Sequence, residues 1–141
     1  MLKNIRVVKQ MKAKRIAIIY NPNRIDSISS AEKVFHNIVN NLKNEGNKVS
    51  ISNEKAVIFE NGTKVEKISF GKDVLNKKVT HMYVDSNIMK LEGGKNFLFE
   101  TLIPCVISNR NYVNLDVAGE REDRVFIFNQ KGVIEKLKNN D

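Results

Sequence analysis

The sequence predicts an α/β domain in which a mixed β-sheet is flanked by two principal helices and includes two hairpins. Three patterns support this fold class: a continuously apolar run at Arg15–Tyr20, an amphipathic helical repeat after it, and an Asn-Gly pair between two extended segments. A strand that is apolar at every position is typical of a sheet covered on both faces, and alternating strands and helices are typical of α/β domains. The 141 residues suit one such domain.

A helix is predicted directly after the first strand. Ser29 and Glu32 have the spacing of a capping box, which predicts a helix over 30–45. Apolar side chains repeat at helical spacing along this segment, and Gly46 stands where a C-terminal cap belongs.

A hairpin follows the helix. Lys48–Ser52 has strand character, and the Asn-Gly pair between Ala56–Glu60 and Thr63–Phe70 predicts a type I′ turn, because both central residues of that turn need a positive φ. The apolar residues of Thr63–Phe70 do not keep one alternation phase, which predicts a bulge or a strand end near Lys67.

The second half of the chain continues the α/β alternation. In chain order, the sequence predicts a strand at Val79–Asp85, a helix at Asn96–Ser108, a strand at Tyr112–Val117 and a hairpin formed by Arg124–Phe128 and Val133–Leu137. Pro104 would kink the helix or end it early. We therefore expect a basic N-terminal arm over residues 1–14 and a single domain over 15–141.

The positive charge is concentrated at the start of the chain. The net charge is +8, and the first twenty residues account for six of these charges without any acidic residue. The basic residues of this arm are Lys3, Arg6, Lys9, Lys12, Lys14 and Arg15. Such an arm can bind a nucleic-acid backbone or an acidic protein, or it can simply solvate an exposed edge strand. Because only 7% of the residues are aromatic, the sequence does not indicate a base-stacking platform.

Several classes of protein are excluded or disfavoured by composition. One cysteine, Cys105, allows neither an internal disulfide framework nor a multi-cysteine zinc site, and we expect it to be a core residue. His36 and His81 are isolated from each other. The chain has no apolar run near the ~18 residues of a membrane span and no signal-peptide pattern, so we expect a cytoplasmic protein without a membrane partner.

The order of motifs resembles the middle of a P-loop ATPase of the phage large-terminase or helicase type. A buried strand ends in a proline-containing turn before an amphipathic helix, the hairpin Val57–Val65 has an "I-x-F-x-NG-S/T-x-I" form, and the strand of Met82–Ser86 ends on Asp85. The resemblance covers about residues 15–128. It implies that Asp85 occupies the position of the Mg²⁺-associated carboxylate.

The chain also departs from that family. It contains no G-x-x-x-x-G-K-[ST] phosphate-binding loop, and Ser86 stands where the catalytic glutamate belongs. The resemblance therefore implies a truncated relative without ATPase activity. We expect no bound cofactor other than the Mg²⁺ considered next.

Two further groups of residues could bind a ligand at the strand ends. Asp85 and Asp116 could hold Mg²⁺ in an α/β crevice, although Asp85 is better explained as a structural strand-end residue. Gly93, Gly94 and Lys95 could offer backbone amides and a cation to a phosphate, although a plain connector explains them as well.

The sequence thus predicts a non-enzymatic, phage-type accessory or structural protein that engages a protein or nucleic-acid partner in the host cytoplasm or virion. Self-association through an open sheet edge is also allowed. The alternative is a small-ligand or nucleotide-binding protein, or a Mg²⁺-dependent enzyme, with its site at the strand ends.

Overall fold

A computed structural model describes residues 13–71, 78–91, 93–97, 102, 105–106 and 124–136, which form one mixed seven-stranded sheet with helices packed against it. The strands are β1 (Arg15–Tyr20), β2 (Val49–Ser52), β3 (Ala56–Phe59), β4 (Lys64–Ser69), β5 (His81–Asp85), β6 (Val125–Phe128) and β7 (Ile134–Lys136). The helices are α1 (Ile25–Asn44), α2 (Ser86–Met89) and α3 (Gly94–Phe97). The predicted single α/β domain is confirmed.

The strands lie in the order β2-β3-β4-β1-β5-β6-β7. The four central strands are parallel, whereas β2, β3 and β7 pair antiparallel with their neighbours. The chain continues from β1 to β4 on one side and later to β5 and β6 on the other, so the strand order reverses between β1 and β5. In open α/β sheets this reversal marks the crevice, outside the carboxyl ends of the strands, where ligands bind.

Both faces of the sheet are covered at β1. Ile16 and Ile18 pack with α1, and we call this side the α1 face. Ala17 and Ile19 pack on the opposite face, in a core that includes Ile88 of α2. The prediction of a strand covered on both faces is therefore confirmed. The run is apolar at every position because alternate side chains enter two separate cores.

The long helix begins earlier than the sequence predicts. It starts at Ile25, so Ser29 lies inside the helix and the predicted capping box is wrong. The buried Ser27 hydroxyl instead accepts a 2.8 Å hydrogen bond from the backbone N–H of Asn21, which ties the first helical turn to the end of β1. At the other end, Gly46 has a φ of 99° and confirms the predicted C-terminal cap.

The first hairpin is confirmed, but its turn differs from the predicted type. Phe59 N–H donates to the Thr63 carbonyl at 2.8 Å, and Gly62 N–H donates to the Phe59 carbonyl at 3.0 Å. The loop therefore has three residues, with Gly62 at a φ of 92°. This pattern is that of a type I turn followed by a glycine bulge, and the type I′ prediction is wrong.

The sequence predicts a bulge or a strand end near Lys67, and the structure has no bulge there. β4 pairs with β1 in unbroken register through Lys67, and only its pairing with β3 stops beside that residue, after Glu66. Val65 packs on the α1 face and Ile68 on the opposite face. The mixed alternation phase therefore reflects burial on both faces.

The predictions for the second half of the chain are confirmed for its described strands, but not for the full length of its helix. β5 and the β6–β7 hairpin follow the predictions, and α3 overlaps the start of the helix predicted at 96–108. Val106 forms a parallel bridge with Val79, so that helix does not continue to Ser108. The strand predicted at 112–117 lies outside the described residues. In the described part of the chain, no helix has the length and apolar character needed to cross a membrane.

Candidate functional site

The N-terminal arm joins the sheet at the amino ends of the parallel strands. Lys14 N–H donates to Thr63 Oγ1 at 3.1 Å, and the Lys14 carbonyl accepts from Lys64 N–H at 2.8 Å. Arg15 N–H donates to Thr80 Oγ1 at 2.9 Å. Lys14 and Arg15 are thus fixed, with exposed side chains, between β4 and β5. The other predicted arm residues lie outside the described residues: Lys3, Arg6, Lys9 and Lys12.

A cavity of about 480 Å³ opens beside this junction. Three cationic side chains and one carboxylate are among its lining residues, namely Arg15, Lys64, Lys78 and Glu66, and we call these four the basic groove. Lys64 Nζ lies 3.3 Å from Glu66 Oε2. Because three positive charges face one negative charge, the groove favours an anionic ligand.

Two aromatic rings stack on the α1 face of β5 and β6. Tyr83 and Phe126 are direct partners in the parallel register, and their ring centroids lie 4.9 Å apart with an interplanar angle of 17°. Both side chains are half-buried, and burial raises the pKa of the Tyr83 hydroxyl. The pair therefore keeps some aromatic surface accessible in the middle of a sheet.

Cationic groups surround His81, on the same face as the rings. His81 precedes Tyr83 by two residues in β5, and Arg124 lies just before β6. Burial, followed by the positive charges of Arg124 and Lys14, lowers the pKa of His81 to about 4. We call Tyr83, Phe126, His81, Arg124 and Lys14 the aromatic–basic corner.

The carboxyl ends of β1 and β5 hold a different set of polar groups. Asp85 is fully buried, and its Oδ1 accepts a 2.9 Å hydrogen bond from Asn87 N–H, which caps α2. Asp85 Oδ2 and Asn87 Nδ2 are both buried without a hydrogen-bond partner among the described residues. The Arg24 guanidinium lies close enough for the Asp85 charge to help raise its pKa, after the larger effect of Asp26. An acceptor and a donor thus lie unpaired at the reversal of strand order.

The predicted Mg²⁺ pair cannot be assembled from the described residues, because Asp116 lies outside them. Within the described ranges, no cluster of three or more His, Cys, Asp or Glu side chains could hold a metal ion. Cys105 is half-buried, and burial raises the pKa of its thiol, so the protonated form is favoured there as expected of a packing residue.

The Gly93-Gly94-Lys95 segment has a structural reason for its glycines. A Cβ at Gly94 would lie 1.9 Å from the Ile88 carbonyl oxygen, and Gly93 has a φ of 75°. Only glycine fits such a close approach of α3 to α2 without rearrangement. The Lys95 side chain lies outside the described set, so its predicted phosphate contact remains a prediction.

The sequence reasoning missed the aromatic–basic corner. Tyr83 and Phe126 lie far apart in the chain, and their contact depends on the pairing of β5 with β6. The available signal was the spacing within each strand: residues two apart lie on the same face, so His81 shares a face with Tyr83, and Arg124 with Phe126. That signal becomes informative only once the strand order is known.

Comparison with known proteins adds no relative to this picture: no family model matches the chain, and neither the curated proteins nor the solved structures include a significant match.

Proposed function

We propose that this protein is a non-enzymatic binding protein that holds the phosphate backbone of nucleic acid at the amino ends of its parallel strands. The observation that supports this function is the convergence of Arg15, Lys64 and Lys78 around one cavity, next to Lys14, where the basic arm enters the sheet. Lysine and arginine contacts to phosphates supply most of the affinity in such binding and are independent of base sequence. The resemblance to phage P-loop ATPases extends the proposal to a phage-type accessory protein in the host cytoplasm or virion.

Salt dependence of binding tests this proposal. The double variant Lys64→Gln/Lys78→Gln is compared with Lys33→Gln/Lys131→Gln, which removes the same charge from exposed positions in α1 and in the β6–β7 turn. We expect affinity for nucleic acid to fall steeply between about 50 and 200 mM salt, and the log–log slope of the first variant to be smaller by about two.

Two results would reject the nucleic-acid proposal. One is an absence of binding at low salt, and the other is an equal loss of affinity in the control variant. Retained binding of an acidic protein in the first case would identify the other partner class that the charge allows.

A second candidate function is small-ligand binding at the carboxyl ends of β1 and β5. It is favoured by the unpaired, buried Asp85 Oδ2 and Asn87 Nδ2 at the position where open α/β sheets bind ligands. A panel of nucleotides with and without Mg²⁺ should raise the melting temperature of the wild type more than that of Asp85→Asn. If millimolar ligand leaves the melting temperature unchanged, this candidate is rejected.

Self-association is proposed for the outer edge of β2. Among the described strands β2 pairs only with β3, and Ile51 is exposed on it, although a register shift between Val49 and Ile51 bends the edge. Light scattering should then give a discrete oligomer that Ile51→Lys converts to monomer, because a charge on an edge strand opposes further pairing. A strict monomer in the wild type would reject this proposal.

A further inference from the structure

We propose that the aromatic–basic corner is a stacking surface for the bases of single-stranded nucleic acid. This inference rests on the proposed function and deepens it, because it names the class of nucleic acid and the side chains that distinguish it from a duplex. Two independent observations support it: a stacked aromatic pair that retains exposure, and cations on the same face beside it.

The register of the sheet arranges the side chains of the corner as two neighbouring pairs. The first pair is Tyr83 beside Phe126. One residue earlier, Met82 lies beside Val125, and both of these belong to the core on the opposite face. Continuing this parallel register by one more residue brings Arg124 next to His81, in agreement with the electrostatic effect of Arg124 on that ring. An aromatic pair is therefore followed, towards the amino ends of the strands, by an imidazole and a guanidinium.

The path of α1 explains why this corner is not part of the core. Near its beginning, α1 approaches the β6–β7 turn, where a Cβ at Gly132 would lie 3.3 Å from Lys33 Cβ. Near its end, Leu42 joins the same core as Phe59 of β3. The helix thus crosses the sheet obliquely. It buries Phe128 completely, while Phe126, two residues earlier on the same face, remains half-buried.

Charge complementarity identifies the occupant. Lys14 and Arg124 together disfavour a further positive charge on His81, so the surroundings of the rings are positive and suited to phosphates. A nucleic acid that stacks on the accessible aromatic surface must present unstacked bases, which a single strand can do and an intact duplex cannot. Lys14 also connects this corner to the basic arm, so one strand could follow both surfaces.

The test compares substitutions that remove the aromatic ring but keep an apolar side chain. Tyr83→Leu and Phe126→Leu are measured against Tyr20→Leu, a half-buried tyrosine at the carboxyl end of β1 and outside the corner. Each variant is titrated with a single-stranded oligonucleotide, the matching duplex and heparin. We expect each corner variant to bind the single strand about tenfold more weakly, with unchanged affinity for duplex and heparin, while Tyr20→Leu binds all three as the wild type does.

A fluorescence measurement keeps the test informative if a leucine variant fails to fold. The chain has no tryptophan, so Phe126→Trp introduces a single reporter. The single strand should quench its emission at saturation, and heparin should bind without quenching. Emission that is unaffected by the single strand overturns the inference.

The outcomes separate the two proposals. If both leucine variants keep wild-type affinity for the single strand while Lys64→Gln/Lys78→Gln weakens every polyanion, the stacking surface is overturned and the phosphate-binding function stands. If the wild type binds none of the three polyanions at low salt, the proposed function fails, and the stacking surface fails with it.

Discussion

His81 should make the protein less stable as the pH falls from about 6.5 to about 4. Burial, followed by the positive charges of Arg124 and Lys14, holds the folded-state pKa of His81 at about 4, below the ordinary value of 6.5. Between these two pH values the His81 ring is protonated in the unfolded chain but neutral in the folded protein. With respect to His81, the free energy of unfolding is therefore highest above about pH 6.5 and decreases as the pH falls. Below about pH 4 it decreases no further, because the ring is then protonated in both states.

The magnitude follows from the difference between the two pKa values. A difference of this size corresponds to at most about 3 kcal/mol, and because the ring is only partly buried, solvent screening reduces the expected loss to ~2 kcal/mol. Thr80 Oγ1 lies 2.8 Å from His81 Nδ1, so His81→Gln can keep a polar partner there while removing the titration.

The assay is urea denaturation, followed by circular dichroism, at about pH 7.5, 5.5 and 4. Acid lowers the stability of most proteins, so the decisive quantity is the difference between the wild type and His81→Gln at each pH. We expect His81→Gln to lose ~2 kcal/mol less than the wild type between about pH 7.5 and pH 4. Parallel curves for His81→Gln and the wild type would refute the reasoning.

Three further predictions concern stability and can be measured by urea denaturation at neutral pH. Gly94→Ala should destabilise the protein by about 1–3 kcal/mol, since its methyl group would overlap the Ile88 carbonyl; an unchanged midpoint would show that α2 and α3 separate easily. Ile18→Ala should cost about 2–5 kcal/mol, because Ile18 is completely buried beneath α1; a smaller loss would mean that the core collapses into the cavity. Lys67→Met should cost about 0.5–1 kcal/mol, since Lys67 Nζ lies 5.1 Å from the centroid of the Phe35 ring and 3.0 Å from Glu32 Oε1; a stabilised variant would contradict the combined contribution of these two contacts.

The sequence was most informative where a local pattern was typical of one structure. The apolar run of β1 could only be a strand covered on both faces, and Gly46 and the Asn-Gly hairpin marked chain reversals that the structure confirms. The errors arose where several local patterns competed. Ser29 with Glu32 has the form of a capping box, yet the helix starts earlier because Ser27 is buried and bonds to the end of β1. That bond depends on tertiary contact, which local spacing does not encode.

The candidate sites were harder to predict for the same reason. Lys14 and Arg15 were identified from charge alone, but Lys64 and Lys78 join them only because β4 and β5 flank β1. Gly94 was considered as a phosphate ligand, whereas its close approach to Ile88 gives it a structural role in packing α3 against α2. In the first case the missing information was the order of strands, and in the second it was the packing of α3 against α2.

The positions of the helices on the sheet also explain why two surfaces stay accessible near the amino ends of the parallel strands: the aromatic–basic corner and the basic groove. α1 follows β1 and packs over β1 and β4 on one face of the sheet, whereas α2, which follows β5, packs on the opposite face. On the α1 face, Tyr83 and Phe126 stay half-buried, although Phe128 is completely buried. On the opposite face, the basic groove opens beside β4 and the start of β1. One aromatic and one cationic surface therefore remain on opposite faces, and Lys14 and Arg15 lie between them at the edge where the basic arm enters.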